Sequence, residues 1–453
     1  MAQERRRLNM TEGEIWKVLL LFLIPIMAGN LLQQLYAAVD AVVVGRFAGK
    51  EGLAAIDAVM SMLRLPLNIF GGLSTGATIL ISQFFGAGDR RELDKAVHTA
   101  LSFAAVGGAL LSVVGFFLAP QSLHLLAVPE ELLPSALAYT RIYFAGFFLS
   151  LLYNVSAGIL RAVGDAGTPF KALAVACVVN IALDLFMVGH LGMGTAGAAL
   201  ATVLAQTVSA LVNLRALARA DSPAPLQWSK LGFSGPVLKR MLALGIPLAL
   251  QGGVYPLANM AIQTTINMTG TNNIAAWALC GKLDMLIWMC ADSVPSALAT
   301  FVAQNHGAGR DDRVQKGTRT TMVIALSLVG VLSLILYFFT TDLGKLFIAR
   351  ADWDILPLAQ RFMHLEAPFY WLYVVGETLS SSVRGLGDTF RPMLLTVLGT
   401  CGLRLAWVAL VVPRFPVMEV IILAFPLSWG VTSLLFTAYY FWFGRRQRTL
   451  ALS

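Results

Sequence analysis

The sequence predicts an all-α membrane protein with twelve transmembrane helices in two six-helix bundles, related by a pseudo-two-fold axis along the membrane normal. Of its 453 residues, 57% are hydrophobic and 13% are charged, far from the averages of soluble domains. Apolar runs of about 20 residues, enough to cross about 30 Å of hydrocarbon, alternate with short polar loops. The chain also repeats itself once, which predicts two similar halves.

Each apolar run predicts one helix, and several runs are long enough to tilt or bend in the bilayer. The predicted helices lie near residues 15–44, 53–84, 97–119, 134–159, 169–189, 194–217, 238–268, 274–303, 318–340, 357–382, 393–413 and 417–443.

Two polar loops and one proline recur at a nearly constant spacing. The matching pairs are Gln83–Lys95 with Gln304–Lys316, Arg161–Pro169 with Arg384–Pro392, and Pro25 with Pro247. Because each repeat holds an even number of spans, both halves enter the membrane from the same side. We therefore predict an N-terminal lobe at 1–217, a proline-bearing cytoplasmic linker at 218–235 and a C-terminal lobe at 236–453, with a substrate cleft between the lobes.

Basic residues concentrate in alternate loops, as is typical of cytoplasmic loops. Examples are Arg5, Arg6, Arg7, Arg90, Arg91, Arg310, Arg313, Arg445 and Arg446. This asymmetry predicts that both termini are cytoplasmic and that the first apolar segment is a retained span, not a signal peptide. It also accounts for the net charge of +8 at the lipid-facing rim, without nucleic acid as a partner.

The sequence holds no motif typical of an enzyme, a nucleotide-driven motor or a cofactor site. Its five histidines are dispersed, and its four cysteines fall within predicted spans. The first pair of repeated loops contains Gly-Ala-Gly, at 86–88 and 307–309, but lacks the Gly-Lys-Ser/Thr of phosphate-binding loops. We therefore predict a protein that is not an enzyme, with no cofactor and no nucleotide, driven by an ion gradient.

Buried ionisable residues indicate where such an ion could bind, because a carboxylate in hydrocarbon is costly without partners or a function. Asp40 and Asp184 lie deep in predicted helices 1 and 5, and Asn180 shares a helix face with Asp184. Counting places Tyr139 and Thr202 at similar depth. These groups suit the binding of a proton, or of sodium at Asp40, Asp184, Asn180 and Thr202; alternatively, the polar groups merely join helices by hydrogen bonds.

The second half does not repeat these residues, since Ile262 and Trp407 stand near the positions that match Asp40 and Asp184. Glu377, opposite Asn154 in the repeat register, is the main acidic candidate there for lining a cavity. Arg404 is either its counter-ion or a tie to helix-end carbonyls.

Other acidic and basic residues within predicted spans are interpreted as internal pairs: Asp57, Arg64, Lys282, Asp284 and Asp292.

Methionine and aromatic side chains of the second half could form an adaptable lining for a bulky guest. The candidates are Met260, Met285, Trp288 and Met289. Packing residues or lipid-facing residues would show the same composition.

The repeated Gly-Ala-Gly loops, the Arg-x-x-Gly-Asp-x-x-x-Pro loops, the paired prolines and Val179–Asp184 together resemble the multidrug and toxic compound extrusion family over nearly the whole chain. The likeness is to the prokaryotic branch with a key aspartate in helix 1, here Asp40. It implies an inner-membrane antiporter that exports amphipathic, often cationic, drug-like compounds by alternating access. Protons or sodium ions would drive the export.

The resemblance also implies that helix 1 bends at Pro25 when Asp40 changes its protonation state. Another branch carries a glutamate in helix 7, but Leu250–Pro256 has none here, so ion coupling through the second lobe is not expected by analogy. A flippase or exporter of a lipid-linked or amphipathic metabolite could use the same architecture and remains the alternative.

Overall fold

A computed structural model of the chain describes residues 8–452, and every regular element in that range is helical. Contacts divide the chain into two compact units. Unit 1 is built mainly from Leu20–Ala249 and also holds Gly307–Gly309, and unit 2 is built mainly from Leu250–His306 and Arg310–Ser453. The predicted lobe and linker boundaries stay predictions. Arg5, Arg6 and Arg7, used above for orientation, lie outside the described residues.

The α-helices are named in chain order: α1 Ile15–Phe47, α2 Gly49–Gly86, α3 Arg90–Leu125, α4 Leu133–Ala145, α5 Phe147–Ala162, α6 Gly167–Asp184, α7 Gly194–Leu217, α8 Gly235–Ile266, α9 Thr271–Leu283, α10 Met285–Gly307, α11 Asp311–Gly344, α12 Leu356–Glu366, α13 Tyr370–Gly385, α14 Phe390–Thr396, α15 Leu403–Leu410 and α16 Met418–Leu452. Two π-helices, Leu185–His190 and Val397–Gly402, and three 3₁₀ turns, Trp228–Lys230, Arg350–Ile355 and Ala367–Phe369, complete the structure.

Helix length and apolar character confirm the prediction of an all-α membrane protein. Within the described residues, 10 helices are long and apolar enough to cross a membrane, or 11 if α4 and α5, bent by 47°, form one span. The remaining predicted segment, 357–382, is divided into α12, a 3₁₀ turn that contains Pro368, and α13. Proline removes a helix hydrogen bond, which accounts for a break there.

The repeated polar loops fold alike, and this explains why their glycines and aspartates recur. Gly164 and Gly387 have φ angles of +85° and +98°, a left-handed conformation that only glycine adopts at low cost. The aspartate that follows each glycine accepts a hydrogen bond from the backbone N–H three residues later. The distances are 2.9 Å for Asp165 and 3.2 Å for Asp388. Each loop therefore ends one helix and starts the next.

Unit 1 has a core in which small residues let helices approach closely. α6 packs on α7, α5 packs on α2, α3 and α7, and α4 packs on α3 and α7. The bend between α4 and α5 falls at Gly146, where a Cβ atom would lie only 2.3 Å from Val203 Cγ1. Tyr139, Tyr143 and Phe147 are buried on either side of this bend. The three aromatic side chains thus lie in the core of unit 1, next to the bend.

Unit 2 contains more helix breaks than the sequence predicts. The predicted helix at 274–303 is interrupted at Asp284, between α9 and α10. α12 packs on α9, α11 and α16, and α13 packs on α11 and α16. Arg404 follows the π-helix Val397–Gly402, and its guanidinium donates to Ser428 Oγ at 3.0 Å and to Asn259 Oδ1 at 2.6 Å. The sequence predicts that Arg404 pairs with Glu377 or with helix-end carbonyl groups. The structure shows Ser428 and Asn259 as its partners instead.

Candidate functional site

The polar site of unit 1 begins on α1, where Tyr36 and Asp40 are four residues apart and so lie on one helix face. The Tyr36 hydroxyl donates to Thr202 Oγ1 on α7 at 3.2 Å. One carboxyl oxygen of Asp40, Oδ1, is buried and has no hydrogen-bond partner among the described residues. α1 and α7 are therefore joined directly beside an unsatisfied carboxyl group.

α6 supplies the second part of the site. Asn180 and Asp184 are fully buried, with an exposed fraction of 0% for each. Neither carboxyl oxygen of Asp184 and neither amide atom of Asn180 has a hydrogen bond of ordinary geometry to a described residue, although the side chains of Asn180 and Asp40 both act on the Asp184 carboxyl group. Asp184 is also the last residue of α6 before the π-helix Leu185–His190. Such π segments inside helices are frequent at functional sites.

The structure brings all five predicted ion-coupling residues together. Asp40 and Asp184 interact electrostatically with each other, and both act on Tyr139, which is 1% exposed on α4. Asn180 lies beside Asp184, and Thr202 is held by Tyr36. Four helices, α1, α4, α6 and α7, thus contribute to one buried polar cluster, as depth counting predicts. The role of these residues in ion coupling stays a prediction.

The charge balance of this cluster is unusual. No ion pair of the described residues includes Asp40 or Asp184. Two adjacent carboxylates without a cation are expensive in a low-dielectric interior, because each charge loses its hydration and repels the other. Uptake of one proton, or of one monovalent cation, would remove much of that cost. The cluster is therefore suited to bind and release a small cation.

Its donor set fits sodium as well as a proton. The free oxygens of Asp40, Asp184 and Asn180, together with the hydroxyl of Thr202, are hard oxygen ligands. Among the described residues there is no group of three or more His, Cys, Asp or Glu side chains that could hold a metal ion. Such groups are typical of tightly bound transition metals, whereas a weakly bound sodium ion does not require one.

Two tyrosines of the site are missing from the sequence prediction. Tyr36 joins α1 to α7, and Tyr143 stacks on Tyr139 with ring centroids 6.1 Å apart. The spacing carried a signal for both, since Tyr36 precedes Asp40 by one helical turn and Tyr143 follows Tyr139 by one turn. Together they form an aromatic wall beside the carboxyl groups.

The two polar candidates for a cavity lining have separate partners. Asn154 on α5 donates from Nδ2 to the carbonyl oxygen of Ser150 at 2.8 Å. Glu377 on α13 forms an ion pair with Arg384, with 2.9 Å between Oε1 and Nη1, and Arg384 also donates to Gln251 Oε1 at 3.3 Å. The counter-ion of Glu377 is thus Arg384, two turns along the same helix.

The apolar candidates differ in environment. Met260 and Met285 are exposed, Met289 is partly buried, and Trp288 donates from its indole Nε1 to Asp284 Oδ2 at 2.8 Å. Trp288 is therefore part of a polar network in unit 2. Pro25 lies inside α1, which is continuous from Ile15 to Phe47. Its role as a hinge stays a prediction.

Comparison with known proteins gives consistent results for both halves of the chain. The model of the MatE family matches residues 25–186 and again residues 247–409. The probable multidrug resistance protein YoeA of Bacillus subtilis is 28% identical over 441 residues, covering 95% of this chain and 94% of the relative. The probable multidrug resistance protein NorM of Thermotoga maritima is 25% identical over 431 residues, with 92% and 87% covered.

The fold is similarly close to a solved structure, a MATE protein crystallised in a bent conformation. The TM-score is 0.91 at 20% identity, and the match covers 98% of this chain and 99% of that one. The two matches of the family model begin at Pro25 and Pro247, the prolines that the internal repeat aligns. This chain, a multi-pass membrane protein with a duplicated sequence, belongs to the MatE family of transporters.

Proposed function

We propose that this protein is a secondary multidrug transporter, which exports amphipathic, often cationic, drug-like compounds in exchange for protons or sodium ions. One observation carries the proposal: in a chain of the MatE family, the half-buried Asp40 lies beside the fully buried Asp184, and neither forms an ion pair among the described residues. The relatives described above are probable drug-resistance proteins, which favours drug export over the flipping of a lipid-linked precursor.

The exchange follows from the charge balance of the cluster. When Asp40 and Asp184 bind a proton or sodium ion, the pair becomes less negative, and the free energies of the conformations that expose it change relative to one another. When the ion leaves, the negative charge returns and can attract a cationic guest. Ion and drug would then use the pair alternately, and an ion gradient would drive export. A location in the prokaryotic inner membrane, with both termini in the cytoplasm, agrees with the basic loops.

Purified protein in liposomes tests the proposal, with pH and sodium gradients imposed independently and a fluorescent cationic dye as cargo. We expect one of the gradients to drive dye movement in the wild type. Asp40→Asn and Asp184→Asn should each lower the rate of dye movement at least about tenfold, which corresponds to about 1.4 kcal/mol. Asp57→Asn, which removes an exposed carboxyl group on α2, is the matched control and should transport normally. Full gradient-driven export by Asp40→Asn would refute the coupling role.

A further inference from the structure

Two membrane segments of unit 2 are broken at acidic residues. Asp284 is the single residue between α9, which ends at Leu283, and α10, which begins at Met285. Glu366 is the last residue of α12, and the 3₁₀ turn Ala367–Phe369 follows it. At Asp284 the backbone N–H still donates to Cys280 O at 3.0 Å and the carbonyl oxygen accepts from Trp288 N–H at 3.1 Å, so the carboxyl group is the polar group that needs partners there. α9 packs on α12, which brings the two breaks together.

The side chains at these breaks contact each other through Tyr370, the first residue of α13. Asp284 Oδ2 accepts hydrogen bonds from the Tyr370 hydroxyl at 2.9 Å and from Trp288 Nε1 at 2.8 Å. Asp284 is 6% exposed, and its other oxygen, Oδ1, has no hydrogen-bond partner among the described residues. Glu366 is 2% exposed and interacts with both Asp284 and Tyr370. The result is a buried pair of carboxyl groups with one free acceptor oxygen.

The charged and titratable groups that act on this pair come from three helices. They are Cys280 on α9, Tyr370 on α13 and Arg404 on α15. Of these, only Arg404 carries a charge near neutral pH. It is 1% exposed, lies over the Phe425 ring at 4.5 Å, and keeps one guanidinium nitrogen, Nη2, without a hydrogen-bond partner among the described residues.

One buried cation, Arg404, therefore acts on Glu366, the neighbour of Asp284, although its hydrogen bonds go to Ser428 and Asn259. If both were ionised, the cluster would carry a net negative charge in a low-dielectric environment, which is costly. If the pair holds one proton, the negative charge of the remaining carboxylate is balanced by the positive charge of Arg404. Asp284 Oδ2 already accepts two hydrogen bonds, so the proton resides on Asp284 Oδ1 or on Glu366.

We propose that Asp284 and Glu366 form a second proton-binding site, in unit 2, which holds one proton shared by the two carboxyl groups while Arg404 balances the other negative charge. The proton comes from water and returns to water, and only an O–H bond forms and breaks. This site is separate from Asp40 and Asp184 and goes beyond the proposed function. It also differs from Glu377, whose charge is already balanced by Arg384.

Infrared spectroscopy of the purified full-length protein tests this site without any transport measurement. The background carries Asp40→Asn and Asp184→Asn, so that the unit 1 pair contributes no carboxyl signal and a failure there is not confused with a failure here. In this background we expect a C=O stretching band of a protonated carboxyl group at about pH 7. Carboxyl groups in water are ionised at that pH and give no such band.

The variants distinguish a shared proton from independent groups. Asp284→Asn and Glu366→Gln should each abolish the band, because the one remaining carboxylate balances Arg404 and needs no proton. Asp342→Asn, which removes an exposed carboxyl group at the end of α11, should leave the band unchanged. A band that survives in either single variant, or that is missing from the background protein, would overturn the proposal.

A second readout covers the case in which a variant does not give monodisperse protein. Because Trp288 donates to Asp284, deprotonation of the pair should change the Trp288 fluorescence as the pH is raised. This change of fluorescence with pH should be missing from the Trp288→Phe variant, which keeps both Asp284 and Glu366. Identical pH profiles for the two proteins would overturn the proposal.

Discussion

The Tyr36 hydroxyl donates to Thr202 Oγ1 at 3.2 Å and joins α1 to α7 beside two carboxyl groups that have no cationic partner among the described residues. A rearrangement of α1 that moves Asp40 must stretch or break this bond, since Tyr36 and Asp40 lie on one helix face. The bond thus couples the position of α1 to the geometry of the polar cluster.

Removal of this bond should weaken ion binding without abolishing it. Tyr36→Phe deletes one neutral hydrogen bond, worth about 1 kcal/mol, and so should lower the apparent affinity for the driving ion about fivefold. The measurement is the ion concentration that gives half-maximal dye export in liposomes. Tyr440→Phe on α16 removes a hydroxyl far along the chain and serves as the control. Equal affinities for wild type and Tyr36→Phe would mean that the bond does not position the cluster.

Stability measurements can separate an ion site from a structural tie between helices. Neither carboxyl oxygen of Asp184 has a hydrogen bond of ordinary geometry to a described residue, so the main effect of Asp184→Asn is to remove a buried charge. We expect the free energy of unfolding to stay constant or to rise by up to about 2 kcal/mol, while coupled transport is lost. The Tm of purified protein in detergent gives the first quantity.

Asp165→Ala is the contrasting variant for this measurement. Asp165 accepts from the backbone N–H of Thr168 at 2.9 Å, and loss of such a cap costs about 1 kcal/mol. Its Tm should fall although its ion coupling persists. If Asp184→Asn lowered the Tm as much as Asp165→Ala, Asp184 would instead be a residue that holds the helices together.

The unit 1 cluster could be predicted from the sequence because it depends on helical periodicity and depth. Asp40, Asp184 and Asn180 are polar residues in long apolar runs, and counting residues from the helix ends places them at one level. The breaks of unit 2 could not be predicted in this way. A broken helix and a continuous one have the same apolar composition, and the bond between Asp284 and Tyr370 joins residues 86 positions apart. The sequence does not indicate the ion pair of Glu377, because Arg384 belongs to a repeated loop motif and its contact with Glu377 depends on where α13 ends.

Close helix packing in unit 1 gives a prediction about glycine. A Cβ atom at Gly76 on α2 would lie 2.5 Å from the backbone of Gly245 on α8, closer than real contacts allow. Gly76→Ala should therefore force the helices apart and lower stability by about 1–3 kcal/mol. Gly71→Ala on the same helix is the control, since a Cβ there meets nothing within 4 Å. It should be neutral or slightly stabilising, because alanine favours helix over glycine. Equal Tm values for the two variants would contradict the close approach.

The ion pair between Glu377 and Arg384 should stabilise unit 2, and a double-mutant cycle can show it. The side chains are 17% and 13% exposed, so Arg384→Gln leaves a largely buried carboxylate without its cation and should cost up to about 3 kcal/mol. Adding Glu377→Gln should restore most of that loss, because no unpaired charge then remains. Lys345→Gln breaks the exposed pair with Asp342 and should change stability by less than about 1 kcal/mol. If the double variant were as unstable as Arg384→Gln alone, the contact with Gln251 rather than the ion pair would explain the importance of Arg384.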